Sequence, residues 1–307
     1  MTIKPDRSFS PAMNNEKIAV APRSRLLRPI GHRAAAWMLT GLMASAALRA
    51  QTTVTVPADT DGLRPAHLIS LDYAELTVAD TEAVLTAPFS WNSGDWQTAG
   101  WSAAAIVGVG AFDHGIKTGA QKYRTPGDNR LARDYQQLGA VGSFVILGVF
   151  EAWGELGGDS KARAVGMDGL TSSLIASGLI APALKYAIGR ERPSQTSGTY
   201  SFRPFRGDQS FPSGHTTQAF VLATAIAENY PEPVVRAVSY GGAALVGVAR
   251  IQQNAHFGSD VVAGAVLGWA VTRMVGHRHD TPAAKFALQV VPYFDGQEAG
   301  LRFTKNF

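Results

Sequence analysis

The 307-residue chain contains no cysteine and little charge, since Lys, Arg, Asp and Glu make up 17% of its residues. The lack of cysteine excludes a disulfide scaffold, a zinc site built on thiolates and a cysteine nucleophile. Hydrophobic residues make up 46% of the chain, an ordinary share that excludes a disordered protein. The mean hydropathy of -0.01 argues against a chain that lies mostly in lipid.

The formal net charge of +4 comes from one end of the chain. Residues 1–50 hold eight Lys and Arg against two Asp and Glu, which leaves 20 basic and 22 acidic residues in the remainder. The remainder is therefore slightly acidic, and its charge gives no support to nucleic-acid binding. We expect no nucleic-acid partner.

The N-terminal region has the layout of a secretory signal. Basic residues precede an uncharged stretch at 34–48, and small residues follow it. Because 15 residues fall short of the roughly 20 that span a bilayer, we interpret 1–50 as a signal peptide and its basic leader. An uncleaved membrane anchor is the alternative. The expected destination is the periplasm, with possible association with the membrane.

The rest of the chain reads as an all-α protein with a small C-terminal β-hairpin. Uncharged runs of 12 to 17 residues cover 96–112, 135–150, 169–184, 237–249 and 261–272. Each run is long for a strand and short for an unassisted membrane span. We predict an irregular segment at 51–95, a compact helical bundle at 96–280 and a β-hairpin at 281–307. Membrane-embedded helices are the alternative.

Two polar segments carry groups that bind phosphate. Lys185 ends an uncharged helical run, and Arg192 follows before a proline. An ammonium and a planar guanidinium can bind separate oxygens of one phosphate. Cations at a helix end can instead simply complement the helix dipole. Ser213 and Gly214 precede a second run and expose backbone N–H groups there, with His215 within reach. A simple helix cap with a surface histidine is the alternative.

A third segment adds Arg250, His256 and Asp260. Four residues separate His256 from Asp260, so a helix would place both on one face, with the carboxylate able to orient the imidazole. Such an imidazole is a nucleophile or a base, whereas the same pair could also ligate a metal or form a structural contact. Together the three segments supply the groups needed for metal-free phosphoryl transfer through a phosphohistidine.

The three segments read K-x6-R-P, P-S-G-H and R-x5-H-x3-D in that order, which resembles the signature motifs of the type 2 phosphatidic acid phosphatase family. That superfamily includes bacterial acid phosphatases and vanadium haloperoxidases and has a helical core. The third family motif usually begins Ser-Arg, whereas Ala249 precedes Arg250 here. The departure leaves the phosphate-binding guanidinium in place.

The resemblance implies a role for each matching residue. His256 would be the nucleophile, Asp260 would orient it, and His215 would protonate the leaving alcohol. The phosphate-binding groups would be Lys185, Arg192, Ser213, Gly214 and Arg250. No metal or cofactor is expected, and vanadate should inhibit. The walls of the substrate pocket are expected in 193–211 and in loops around 113–134.

The expected function is hydrolysis of a phosphorylated lipid or a small phosphate ester, with the membrane surface as a possible partner. A vanadate-dependent haloperoxidase is one alternative, and a non-catalytic envelope protein is the other. We interpret His277, His279 and Asp280 as part of a solvated loop rather than a metal site.

Overall fold

A computed structural model of the chain describes residues 64–65, 67–207, 209–280, 288–294 and 299–305. The predicted signal peptide at 1–50 lies outside the described residues. The helices in chain order are α1 Leu71–Thr86, α2 Ser93–Ala111, α3 Asp113–Lys122, α4 Pro126–Gln136, α5 Val141–Gly157, α6 Ser160–Ser172, α7 Ala181–Ile188, α8 Gly214–Asn229, α9 Pro233–Gln252 and α10 Gly258–Asp280. The described part of the chain is therefore predominantly helical, as predicted.

Short helical turns link several of these helices. Ala87–Phe89 and Gln137–Gly139 form 3₁₀ turns, and Ser173–Ile180 forms a π-helical stretch between α6 and α7. The wider π turns lie just before Pro182, which has no N–H to donate to the preceding turn.

The structure corrects three boundaries. The segment 51–95 contains α1, which begins where the Ser70 hydroxyl accepts a hydrogen bond from the Tyr73 N–H at 3.1 Å. Its sequence mixes charged and apolar residues, so no uncharged run revealed it. The expected loops around 113–134 are the helices α3 and α4. The run 135–150 is two helices, because α4 ends before the 3₁₀ turn and α5 begins after it.

Helix α8 lies at the centre of the bundle and packs against α6, α9 and α10. Glycines bring α10 close to α8: a Cβ at Gly268 would lie 2.3 Å from the Thr217 carbonyl oxygen, and one at Gly264 would lie 2.5 Å from the Ser213 carbonyl oxygen. Buried aliphatic residues such as Val221 and Val271 fill the space between these helices. Only glycine permits this backbone approach, which fixes the start of α8 against the start of α10.

The polar connection 189–213 folds back onto the end of α7. Gly189 ends α7 in the left-handed conformation, with φ of 60°. A Cβ there would lie 1.9 Å from the Arg203 carbonyl oxygen, and the Arg203 N–H donates to the Gly189 carbonyl at 2.7 Å. The residues that follow α7 are thereby held beside the helix instead of extending from it.

Large apolar side chains cover the outer faces of several helices. Val238 and Val248 on α9 are 70% and 58% exposed, and Trp153 on α5 is 61% exposed. Among the described residues, Ser160–Ile188 and Pro233–Gln252 are long and apolar enough to cross a membrane. The bent pair Asn129–Gly139 and Val141–Gly157 would make a third span. These exposed apolar faces argue against the prediction, made from the mean hydropathy, that the chain does not lie mostly in lipid.

At the C-terminal end, β1 Leu288–Phe294 and β2 Ala299–Lys305 pair in a two-stranded sheet. The residues between the strands lie outside the described part of the chain. The predicted hairpin at 281–307 therefore stays a prediction.

Candidate active site

The end of α7 places Lys185 against the loop that precedes α8. The Lys185 ammonium donates to the carbonyl oxygens of Gln209 at 2.7 Å and of Pro212 at 2.6 Å. Its side chain also lies beside Gly214, where a Cβ would be 3.8 Å from Lys185 Cε. The first predicted segment therefore meets the second, although 29 positions separate Lys185 from Gly214 in the sequence.

The start of α8 supplies donors at the same place. Ser213 is fully buried, and its hydroxyl accepts a hydrogen bond from the Thr216 hydroxyl at 2.9 Å, so its own proton is available for donation. The backbone N–H of Ser213 donates to the Asp260 carbonyl at 2.9 Å, which ties the second segment to the third. The first N–H groups of α8, from Gly214 onward, have no acceptor within the helix and can bind an anion.

His256 lies just before α10 and is 3% exposed. Its Nδ1 lies 2.7 Å from the Ser210 carbonyl oxygen and 3.8 Å from Asp260 Oδ2. A carbonyl oxygen only accepts, so Nδ1 carries a proton and the Nε2 lone pair is available for attack. The Ser210 carbonyl is thus the nearer partner of Nδ1, and the orienting role of Asp260 stays a prediction.

Arg250 projects from the last turn of α9 and is held by two amides. Its guanidinium donates to Gln136 Oε1 and to Gln253 Oε1, each at 2.5 Å. Arg250 Nε and Gln253 Nε2 are buried donors with no acceptor in the described part of the chain. Unused buried donors beside a cation are what a phosphate site requires before its ligand is bound.

The pKa shifts of the two histidines show that the segments converge. Burial lowers the pKa of His256 to about 4, and the charges of Lys185 and Arg250 act in the same direction while Asp260 opposes them. Burial also lowers the pKa of His215 to about 4, assisted by the charges of Arg250, Lys185 and Arg192. Both imidazoles are therefore neutral at pH 7, as a nucleophile must be.

Asp260 remains ionised despite its burial. Burial alone would raise its pKa, but His256, the Arg190 guanidinium and the Ser210 hydroxyl together hold the pKa below its usual value. Arg190 donates to Asp260 Oδ1 at 2.5 Å, and the Ser210 hydroxyl donates to Oδ2 at 2.6 Å. Sequence reasoning missed Arg190, because it lies among the unspecified positions of K-x6-R-P.

The other histidines and tryptophans lie apart from this site or have structural contacts. His67 contacts Glu155 at 2.8 Å on the surface, and Trp91 packs edge-on against Trp96. His277 and His279 belong to the last turn of α10, so the predicted solvated loop is wrong. His279 is fully buried between two carboxylates. Within the described ranges, no group of three His, Asp or Glu side chains could hold a metal.

Comparison with known protein families finds a match over the residues that contain the three segments. Residues 169–281 match the family model described as the PAP2 superfamily, and the chain therefore carries a PAP2 superfamily domain. That domain contains all three segments, so the predicted family resemblance is confirmed.

Two curated relatives are both named lipid A 1-phosphatase. The protein of Rhizobium etli is 39% identical over 104 residues, which cover 32% of this chain and 44% of the relative. The protein of Porphyromonas gingivalis is 33% identical over 155 residues, which cover 49% of this chain and 30% of the relative. The chain thus spans less than half the length of these relatives. The crystal structure of Aquifex aeolicus LpxE is 20% identical and covers 52% of this chain and 92% of its own, with a TM-score of 0.40.

Proposed function

We propose that the protein is a metal-independent phosphatase that hydrolyses a phosphomonoester of a phosphorylated lipid. The observation that carries the proposal is a buried, neutral His256 with its Nε2 available, under the charges of Lys185 and Arg250. The same two cations and Arg192 act on His215. Relatives named lipid A 1-phosphatase favour a lipid substrate. Small phosphate esters are the second substrate class to test.

In the proposed reaction, the cations and the N–H groups at the start of α8 hold the phosphoryl oxygens. His256 Nε2 attacks phosphorus, and the bond from phosphorus to the leaving oxygen breaks as the new P–N bond forms. His215 gives its proton to the leaving alkoxide. Water then attacks the phosphohistidine, releases inorganic phosphate and returns His256 to its starting state, with His215 accepting the proton of the water.

The charge at the site explains how His215 could act as an acid. Burial lowers the pKa of His215, and the charges of Arg250, Lys185 and Arg192 lower it further. A bound phosphate dianion opposes those charges, so the substrate itself favours the protonated imidazole. Protonation of the general acid is then coupled to binding of the group it serves.

The apolar outer faces support a membrane location. A bilayer would cover the exposed valines of α5 and α9 and the exposed Trp153 of α5, whose contact with water is unfavourable. We also propose that residues 1–50 direct export to the periplasm. Cell fractionation with a carbonate wash tests the first point, because an integral protein stays in the pellet. Protease protection of a C-terminal tag in spheroplasts tests the second.

The activity is tested with the full chain in detergent. Release of inorganic phosphate is measured from lipid A, phosphatidic acid and p-nitrophenyl phosphate, with EDTA and separately with orthovanadate. We expect turnover that persists in EDTA, stops in vanadate and falls at least about 10³-fold in His256→Ala. His67→Ala, an exposed histidine away from the site, is the matched control. Turnover lost in EDTA, or retained in His256→Ala, would overturn the mechanism.

A further inference from the structure

Arg190 is a buried cation of the site whose hydrogen-bond donors are all used within the protein. It is 3% exposed, and each of its five N–H bonds has an acceptor. Nε and Nη2 donate to the Thr199 carbonyl, Nη1 donates to Ser259 and Asp260, and Nη2 also donates to Asp113 Oδ2 at 2.8 Å. A guanidinium with no free donor cannot bind substrate without losing an existing bond.

The second carboxylate of this network is Asp113, the first residue of α3. Asp113 is fully buried, and it accepts from the Ser259 N–H at 2.9 Å and the Ser259 hydroxyl at 2.5 Å. Ser259 directly precedes Asp260, so Asp113 holds the first turn of α10. Asp113 also lies outside the matched range 169–281, so this contact comes from a helix that the family match does not include.

A continuous chain of hydrogen bonds leads from Arg190 to His256. Arg190 binds Asp260 Oδ1, the Ser210 hydroxyl binds Asp260 Oδ2, and the Ser210 carbonyl accepts from His256 Nδ1. The backbone of Arg190 joins the same chain, because its carbonyl accepts from the Ser210 N–H at 2.9 Å. The position of the imidazole therefore depends on Ser210, and Ser210 is held from both sides by Arg190 and Asp260.

The charges of the network add a second effect. Arg190 with Asp260 alone would form a neutral pair, and such a pair would do little to stabilise positive charge on His256. Asp113 gives the network a net negative charge, so Asp260 keeps its influence on the imidazole. When Nε2 bonds to phosphorus, positive charge develops on the ring, and a net negative network favours that state.

Resting on the proposed function, we propose that Asp113 and Arg190 are positioning residues, which orient His256 and support its charge through Asp260 and Ser210 without touching substrate. Their effect is on the chemical step. Binding of the phosphate group should depend instead on Lys185 and Arg250.

The test is a double-mutant cycle of Asp113→Asn and Asp260→Asn in the full chain in detergent. Asparagine keeps the size of the side chain and removes its charge. We expect Asp113→Asn to lower kcat about 10- to 100-fold, with KM and the Kd for inorganic phosphate within about twofold of the wild type. In the Asp260→Asn background the same substitution should change kcat by no more than about twofold.

The control is Asp80→Asn, the same change at an equally buried carboxylate of another network. It should lower the melting temperature and leave kcat per folded molecule unchanged. An equal loss of kcat from Asp113→Asn in both backgrounds would overturn the proposal, as would a loss confined to KM. Absence of turnover in the wild type, by contrast, would reject the proposed phosphatase activity itself.

Discussion

A buried imidazolium at the end of α10 should make the stability of the protein fall at alkaline pH. His279 Nδ1 lies 2.6 Å from Asp168 Oδ1, and Nε2 lies 2.7 Å from Asp80 Oδ2. Carboxylates only accept, so both nitrogens donate and the ring is charged. Burial alone would lower the pKa of His279, but the hydrogen bonds and charges of Asp168 and Asp80 outweigh it and raise the pKa to about 9.

The size of the effect follows from that shift. A rise from 6.5 to about 9 corresponds to about 3 kcal/mol of folding free energy. Because the folded pKa is the higher one, this stability is fully present below pH 6.5 and is lost as the pH rises through about 9. Between pH 7 and pH 10 the loss is about 2.5 kcal/mol, which lowers the melting temperature by about 5–10 °C.

The assay is denaturation of the detergent-solubilised chain at pH 7 and pH 10, comparing wild type, His279→Gln and His277→Gln. His279→Gln leaves Asp80 and Asp168 without their shared cation, so at pH 7 it should destabilise by about 3–5 kcal/mol. It should also lose less stability than the wild type on going to pH 10. The exposed His277→Gln should follow the wild type. Equal pH dependence in wild type and His279→Gln would refute the reasoning.

Two further substitutions test the packing and the site. Gly268→Ala places a methyl group against the Thr217 carbonyl and should lower the melting temperature by several degrees, whereas Gly242→Ala meets no atom within 4 Å and should not. Gln136→Ala removes an acceptor that holds Arg250, so KM for the phosphate substrate should rise about three- to tenfold with a smaller change in kcat. A fall in kcat alone would show that Gln136 acts on the chemical step.

The three candidate segments could be recognised in the sequence because each is short and its spacing is fixed along the chain. Lys185 and Arg192 lie close to each other in sequence, as do His256 and Asp260, so a local pattern contains the chemical information. The uncharged runs likewise indicated most of the bundle, since a buried or lipid-covered helix needs apolar residues all round. These local patterns do not show how far apart the three segments lie in the folded chain, so they could not show that the segments meet.

Asp113, Arg190 and His279 could not be assigned from the sequence, because their partners are distant along the chain. Asp113 and Asp260 are far apart in sequence, and an isolated aspartate at a helix start is typical of capping. Arg190 lies in a polar connection, where a charge is usually solvated. His279 was misinterpreted because its neighbours His277 and Asp280 are exposed, whereas its partners Asp80 and Asp168 come from distant helices. Buried ion pairs of long sequence separation leave no local signal.

The network around His279 and the candidate site differ in net charge. The network around His279 contains three carboxylates and three cations, and its charges sum to zero: Asp80, Asp168, Asp280, Arg64, Arg278 and His279. At the candidate site, three cations act on His215, and the network of Arg190, Asp113 and Asp260 offsets them with a single net negative charge. Uncompensated positive charge in a partly buried site is unfavourable until an anion arrives. A phosphate dianion would supply that charge, so the imbalance supports the proposal that the site binds phosphate.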